Sequence, residues 1–130
     1  MENKSNDATP LRPQGERLLN APMVEMDLNK FIQQIKQEVT WKESSLNSIT
    51  LFKSDKMRIV LIGIHKNGEL KTHTASGYIS VQVMEGHIEF ATEEKTVELH
   101  KGQMVSLQPQ LPHSVFAKEE SFFLLTLALA

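Results

Sequence analysis

Short apolar segments with a period of two recur through the second part of the chain, and turn residues separate them. The clearest are Met57–Ile64 and residues 78–84, 104–107 and 122–129. Strand-like segments follow one another about every 8 to 12 residues, which is typical of an antiparallel sandwich or barrel. The pattern therefore predicts a mainly β domain over about residues 48–129.

Two pairs of turn residues divide this region. Glu85-Gly86 and Lys101-Gly102 each follow an apolar segment and precede another one. An acidic residue followed by glycine favours a two-residue connection between antiparallel strands. The sequence therefore predicts a tight hairpin turn at Glu85-Gly86.

One amphipathic helix precedes the strands, over about residues 27–38. Asp27 is suited to cap its first turn, because a carboxylate can accept a backbone N–H there. The apolar positions recur at helical spacing and form one face: Leu28, Phe31, Ile32, Ile35 and Val39. We expect this face to pack on a sheet, with Trp41 anchoring the helix to it.

Residues 1–26 form a polar N-terminal extension with three prolines. Such a composition favours a segment without a core of its own, either a tail or an arm that lies across a partner subunit. Its apolar anchors are few: Leu11, Leu18, Leu19 and Met23. We expect residues 27–130 to form a single domain.

Composition excludes several classes of function. The chain has 130 residues, a net charge of -2 and no cysteine, so disulfides and thiolate sites are absent and no basic patch suggests a nucleic-acid partner. No apolar run approaches the ~20 residues of a membrane span, and the polar N-terminus lacks the apolar core of a secretory signal. We therefore expect a cytoplasmic protein with no membrane partner.

Two spaced motifs carry the candidate chemistry. The first consists of Gly68, His73 and Gly86, and the second, within "GQMVSLQPQLPHSV", contains Gly102, Pro109 and His113. Set within the predicted strands, they resemble the two hairpin motifs of the cupins, which are small double-stranded β-helix (jelly-roll) barrels. The resemblance covers about residues 48–129 and implies that fold.

In cupins, three histidines and a glutamate typically hold one divalent metal inside the barrel. This chain has Ala75 where the second histidine belongs, and Ile79 or Ser80 where the glutamate belongs. The resemblance thus leaves His73 and His113 as metal ligands for one weakly held divalent transition metal (Zn, Fe, Ni or Mn). The alternative is a histidine pair that lines a pocket and bonds to water, to each other or to a ligand.

Alternation along the strands predicts which neighbours share the pocket. Ile79 and Val81 have the same parity on one strand, as do His113 and Val115 on the other. Tyr78 is the only tyrosine and is a candidate for the barrel mouth, or else a packed aromatic with a solvated hydroxyl. The predicted pocket consists of His73, His113, Tyr78, Ile79, Val81 and Val115.

The other polar candidates are weaker. His65 ends a strand and is either a polar strand end or a third imidazole near the pocket, whereas His87 and His100 are expected to face solvent. Gln108 and Gln110 flank Pro109 and are candidates for ligand contacts. The carboxylates show no pairing suited to acid–base catalysis.

These features favour a stand-alone cupin barrel that binds a small molecule, with at most a weak two-histidine metal site. The alternative is a metal-dependent enzyme of the dioxygenase or isomerase type that uses His73 and His113. A ligand sensor is a third class, although the single helix leaves no room for a helix-turn-helix module.

We also expect a homodimer. Met57–Ile64 is apolar on both faces, and one helix is too small to cover such a sheet, so a second copy is the simplest cover.

Overall fold

Residues 4–6 and 17–129 are described by the computed structural model, which contains two larger facing antiparallel sheets, a small two-stranded sheet and two helices. The helices are α1 (Leu28–Gln37) and α2 (Val39–Glu43). The strands are β1 (Lys4–Asn6), β2 (Arg17–Asn20), β3 (Leu46–Lys53), β4 (Met57–Ile64), β5 (Glu69–His73), β6 (Tyr78–Glu85), β7 (His87–Thr92), β8 (Thr96–His100), β9 (Met104–Leu107), β10 (His113–Ala117) and β11 (Ser121–Ala128).

The larger sheet has the strand order β3-β4-β11-β6-β9, and the smaller has the order β5-β10-β7-β8. Every strand pair in them is antiparallel, which confirms the predicted mainly β jelly-roll class. The two sheets are separate ladders and do not close into one continuous barrel. Strands β1 and β2 form a small sheet of their own.

The main core lies between the two sheets. Alternate residues of β6 point into it, because Ile79, Val81 and Val83 are buried while Ser80 and Gln82 are only partly buried. Aromatic side chains from both sheets, Phe90 and Phe123, are buried in the same cluster. The period-two pattern of the sequence therefore corresponds to one buried face on each sheet.

A second core lies outside the larger sheet, under the helices. Ile35 of α1 packs there with Leu61 and Phe122, all of them almost fully buried, and Trp41 of α2 joins the same cluster. Asp27 caps α1 as expected, since its Oδ1 accepts hydrogen bonds from the backbone N–H groups of residues 29 and 30. The apolar outer face of β4 is thus largely covered within the chain.

The prediction of a single helix was wrong, because Trp41 lies in a second short helix. Glu38 has an extended backbone that separates α1 from α2. The Asn47 amide donates to the Ile35 carbonyl (3.4 Å) and to the Glu38 carboxylate (2.9 Å). These bonds tie the end of α1 to β3, and α2 begins at Val39, directly after the extended residue.

The predicted hairpin at Glu85-Gly86 was also wrong. Strands β6 and β7 belong to different sheets, so this turn is a corner at which the chain crosses from one sheet to the other. Gly86 has a φ of +94°, in the left-handed region that glycine tolerates best.

Strand β5 has no apolar alternation, and the pattern did not predict it. Leu70 is its single apolar residue, and it is an edge strand that pairs only with β10. His73 ends this strand. Within the part of the predicted extension that the structure describes, Leu19 and Ala21 are buried, whereas Leu18 and Met23 are exposed.

Candidate functional site

His73 and His113 lie side by side on neighbouring strands of the smaller sheet. The Cα atoms of the two residues are register partners between β5 and β10, and directly paired residues project from the same face. Their ring centroids are 4.3 Å apart, with an interplanar angle of 61°. Strand register therefore brings together two residues that are far apart in the sequence.

Each imidazole is oriented by a backbone carbonyl two residues earlier in the chain. His73 Nδ1 is 2.7 Å from the Lys71 oxygen, and His113 Nδ1 is 2.9 Å from the Leu111 oxygen. A carbonyl can only accept, so both Nδ1 atoms carry the proton in these bonds. In the neutral rings, Nε2 is then the unprotonated nitrogen.

The two rings border a cavity of about 280 Å³ between the sheets. Its lining is Ile62, Leu70, His73, Ala75, Ile79, Val81, Phe90, His113, Val115, Phe123, Leu125 and Leu127. Apart from the histidines, these side chains have no polar atom. The cavity is therefore an apolar chamber whose side-chain polarity comes from one pair of imidazoles.

The two histidines differ in depth. His113 is 5% exposed, whereas His73 is exposed at the end of β5. Burial lowers the pKa of His113, the hydrogen bond to Leu111 opposes this shift, and the nearby His73 lowers the pKa further. His113 is thus held in its neutral form by its surroundings, while His73 lies at the mouth of the cavity.

Five of the six predicted pocket residues line this cavity: His73, His113, Ile79, Val81 and Val115. Tyr78 does not, and this part of the prediction is corrected. Adjacent residues on a strand point to opposite faces, so Ile79 faces the cavity and Tyr78 faces outward. Tyr78 is 56% exposed and borders a shallow depression on the outer side of the sheet.

The loops at the mouth contact each other through the backbone. The N–H of Gln110 donates to the Ala75 carbonyl at 2.8 Å, which joins the loop before β10 to the loop after β5. Gln108 and Gln110 are exposed, and neither is among the residues that line the cavity.

The remaining histidines lie elsewhere. His65 stacks on Trp41 at 3.6 Å, and its Nε2 donates to the Trp41 carbonyl at 2.7 Å, so it is a polar strand end rather than a third imidazole of the pocket. His87 and His100 stack on each other at 4.0 Å, and His87 Nε2 is 2.9 Å from Glu98 Oε1.

Sequence reasoning missed several residues of the lining. Phe90 lies nearly parallel to His113, with ring centroids 5.5 Å apart. On β11, Phe123, Leu125 and Leu127 line the cavity, while Thr126 borders the depression on the outer side. The same alternation that predicted Ile79 and Val81 would have identified these β11 residues, once it was known which face of β11 points into the cavity.

The cavity does not provide a complete set of ligands for a resident metal. Protein sites usually supply at least three ligands, and the lining offers two imidazoles and no carboxylate. Across residues 18–129, no group of three or more His, Cys, Asp or Glu side chains is placed to hold a metal ion. The residues present therefore do not fit a tightly held metal.

Several solved structures have a fold similar to that of this protein. A conserved protein of unknown function from Streptococcus pyogenes is 23% identical, with a TM-score of 0.64 over 68% of this chain and 77% of that one. A cupin superfamily protein from Desulfitobacterium hafniense is 15% identical, with a TM-score of 0.65 over 68% of this chain and 81% of that one. The protein therefore has the fold of the cupin superfamily.

A variant of salicylate 1,2-dioxygenase from Pseudoaminobacter salicylatoxidans is also similar, with a TM-score of 0.70 and 14% identity. The match covers 79% of this chain and 34% of the dioxygenase, so the likeness is to one part of a larger enzyme. No protein-family model matches the sequence, and no curated protein matches it. Among the described residues, no helix is long and apolar enough to cross a membrane.

Proposed function

We propose that this protein is a stand-alone cupin barrel that binds a small, largely apolar molecule between its sheets. The observation that carries the proposal is the cavity of about 280 Å³, whose side chains are apolar except for His73 and His113. Binding sites for small molecules are typically concave and apolar, with a few polar groups that fix the orientation of the ligand.

The size of the cavity limits the ligand. An apolar cavity of about 150 Å³ accommodates a molecule the size of benzene. A cavity about twice as large suits a ligand of roughly ten non-hydrogen atoms. Such a ligand would enter past His73 and Ala75 and lie against Phe90 and His113.

A fragment screen by protein-observed NMR tests this proposal. Apolar fragments of about this size should shift the amide signals of β6, β10 and β11 in the wild type. Ala75→Leu adds three carbon atoms to the lining without touching either histidine, and it should weaken binding by about tenfold or more. A wild type that binds no such fragment would contradict the proposal.

The alternative function is a metal-dependent enzyme of the dioxygenase or isomerase type. The fold has a dioxygenase among its relatives, and His73 and His113 are the available ligands. With only two imidazoles, we propose that any bound divalent metal (Zn, Fe, Ni or Mn) is held weakly. Elemental analysis of the purified protein and of His73→Ala and His113→Ala separates the two: stoichiometric metal lost in both variants would favour the enzyme.

We also propose that the protein forms a homodimer. We expected a second copy to cover the outer face of β4, but α1 and α2 cover it within the chain. The apolar surface that a second copy could bury lies elsewhere on the larger sheet. On the outer side of β6 and β9, Tyr78 and Met104 are 56% and 51% exposed, and Gln82 is the register partner of Met104. A second copy could bury this surface, and light scattering tests for it.

A further inference from the structure

The hydrogen bonds that orient the two imidazoles decide whether the cavity offers a ligand donors or acceptors. Because Nδ1 of each ring donates to a backbone carbonyl, the free nitrogen of the neutral ring is an acceptor and not a donor. The other lining side chains are hydrocarbon and offer no hydrogen-bond donor. The side chains around the chamber thus provide acceptors alone.

The deeper acceptor is the more important one. His113 is almost fully buried and is flanked by Phe90 in a nearly parallel arrangement, whereas His73 is exposed at the mouth. No hydrogen bond joins Nε2 of either ring to another described residue. His73 can bond to water, whereas the buried His113 lines the chamber, from which a bound ligand would displace water.

We propose that this cavity selects a neutral, hydroxyl-bearing apolar molecule, such as an alkylphenol, whose O–H donates to Nε2 of His113. This inference rests on the proposed small-molecule function and narrows it to a class of ligand. A hydroxyl on the ligand matches the acceptor that His113 provides in the lining, and the apolar remainder matches the hydrocarbon walls.

The same geometry disfavours anionic ligands. A carboxylate can only accept hydrogen bonds, so it would face the lone pair of His113 without a donor unless the ring were protonated. Protonation of a buried imidazole is opposed by desolvation, and His113 is almost fully buried. A carboxylate in the chamber would therefore be both desolvated and unpaired, which is strongly unfavourable.

Three matched probes test the inference: 4-propylphenol, 4-propylanisole and 4-propylbenzoate. The anisole keeps the oxygen and the alkyl chain of the phenol but lacks the O–H donor. With wild-type protein at neutral pH, we expect dissociation constants from NMR titration to favour the phenol over the anisole by about tenfold. The benzoate should bind more weakly than both.

Two substitutions at one position separate the acceptor from the packing. His113→Asn can retain an amide N–H near the position of Nδ1, and hence the bond to Leu111, but it has no atom at Nε2. We expect it to reduce the preference for the phenol to less than about twofold while the anisole still binds. His113→Gln reaches the Nε2 position with its amide and should recover part of the preference, while His73→Asn should leave most of it intact.

The outcomes are distinguishable. Equal binding of phenol and anisole to the wild type, tightest binding of the benzoate, or a preference that survives in His113→Asn would each overturn the inference and leave the binding function in place. If none of the three probes binds the wild type, both the inference and the proposed function fail.

Discussion

At His113, burial and hydrogen bonding act on the same imidazole in opposite directions. Burial is the larger effect and lowers its pKa, the hydrogen bond to the Leu111 carbonyl raises it, and the electrostatic interaction with His73 lowers it. The only titratable side chain in the cavity lining that faces His113 is His73. The pKa of this imidazole should therefore be lower in the folded chain than in the unfolded chain.

The first prediction concerns pH. The pKa of folded His113 lies below its ordinary value of 6.5, so between these two values the unfolded chain binds more protons than the folded one. The free energy of unfolding should then rise with pH through this window and fall as the pH is lowered. Urea unfolding from about pH 8 to pH 5, in the presence of a chelator, measures this dependence.

The comparison with His113→Asn isolates the contribution of this residue. The wild type should lose stability relative to the variant as the pH falls, because the variant has no imidazole to protonate at this position. If the difference in the free energy of unfolding between the two proteins stayed constant with pH, the pH dependence would not come from His113. His73→Asn is the control, and it should keep most of the dependence.

The second prediction concerns the corner between β6 and β7. Gly86 has a φ of +94°, and a Cβ there would meet Ser121 Oγ and the Glu120 carbonyl. Gly86→Ala should therefore lower the free energy of unfolding by about 2 kcal/mol or more, from the backbone conformation and the overlap together. Gly102 is a matched control, since its φ is +84° but a Cβ would have nothing within 4 Å.

Gly102→Ala should show the conformational penalty alone, about 1 kcal/mol. Chemical denaturation of the two variants measures how much more free energy of unfolding Gly86→Ala loses than Gly102→Ala. Equal losses would mean that the contact with Ser121 relaxes at no cost and that only the backbone conformation matters.

At the level of elements, α1 is held from both ends. Asp27 accepts backbone hydrogen bonds at its start, and Asn47 binds the Ile35 carbonyl near its end. Between them, Ile32 and Ile35 are buried against the larger sheet. The helix therefore covers apolar surface of β4 and β11, and its local capping supports that packing.

The third prediction is that Asp27→Ala lowers the free energy of unfolding by about 1 kcal/mol, because two N–H groups of the first turn lose their acceptor. Glu25→Ala removes the same charge two residues earlier and should change stability by less than about 0.5 kcal/mol. Thermal or urea unfolding measures both. A similar loss in the two variants would indicate an effect of charge and not of capping.

At the level of the whole molecule, the outer face of the larger sheet is covered unevenly. The helices cover the part of the larger sheet built from β3, β4 and β11, where Leu61 and Phe122 are buried. At one end of β6, Met84 packs against the helix cluster, whereas Tyr78 at the other end and Met104 of β9 are exposed. This asymmetry is the physical basis for the proposed dimer.

The fourth prediction is that light scattering at micromolar concentration gives a mass near twice the 14.7 kDa of one chain. A dimer of ordinary stability would bury about 1,200 Å² or more in total. Met104→Glu places a charge in the proposed interface and should shift the mass toward one chain. Val39→Glu, at another exposed apolar position, should leave the mass unchanged, and a monomeric wild type would contradict the proposal.

Much of this protein follows from its sequence alone. The alternation of apolar residues predicted β4 and β9 at their observed bounds, and helical spacing with Asp27 predicted α1. These features depend on residues close together in the chain, which is why a pattern of period two or 3.6 reveals them. The pairing of His73 with His113 also followed, through the resemblance to the cupin motifs.

Only the tertiary structure decided the rest. Strand β5 has almost no apolar pattern and exists because β10 pairs with it, and Glu85-Gly86 became a corner because its two strands joined different sheets. Tyr78 was placed outside the pocket by the face on which its strand packs. The chamber itself is formed by residues of separate strands, and the depth of His113 within it is set by packing that no local pattern encodes.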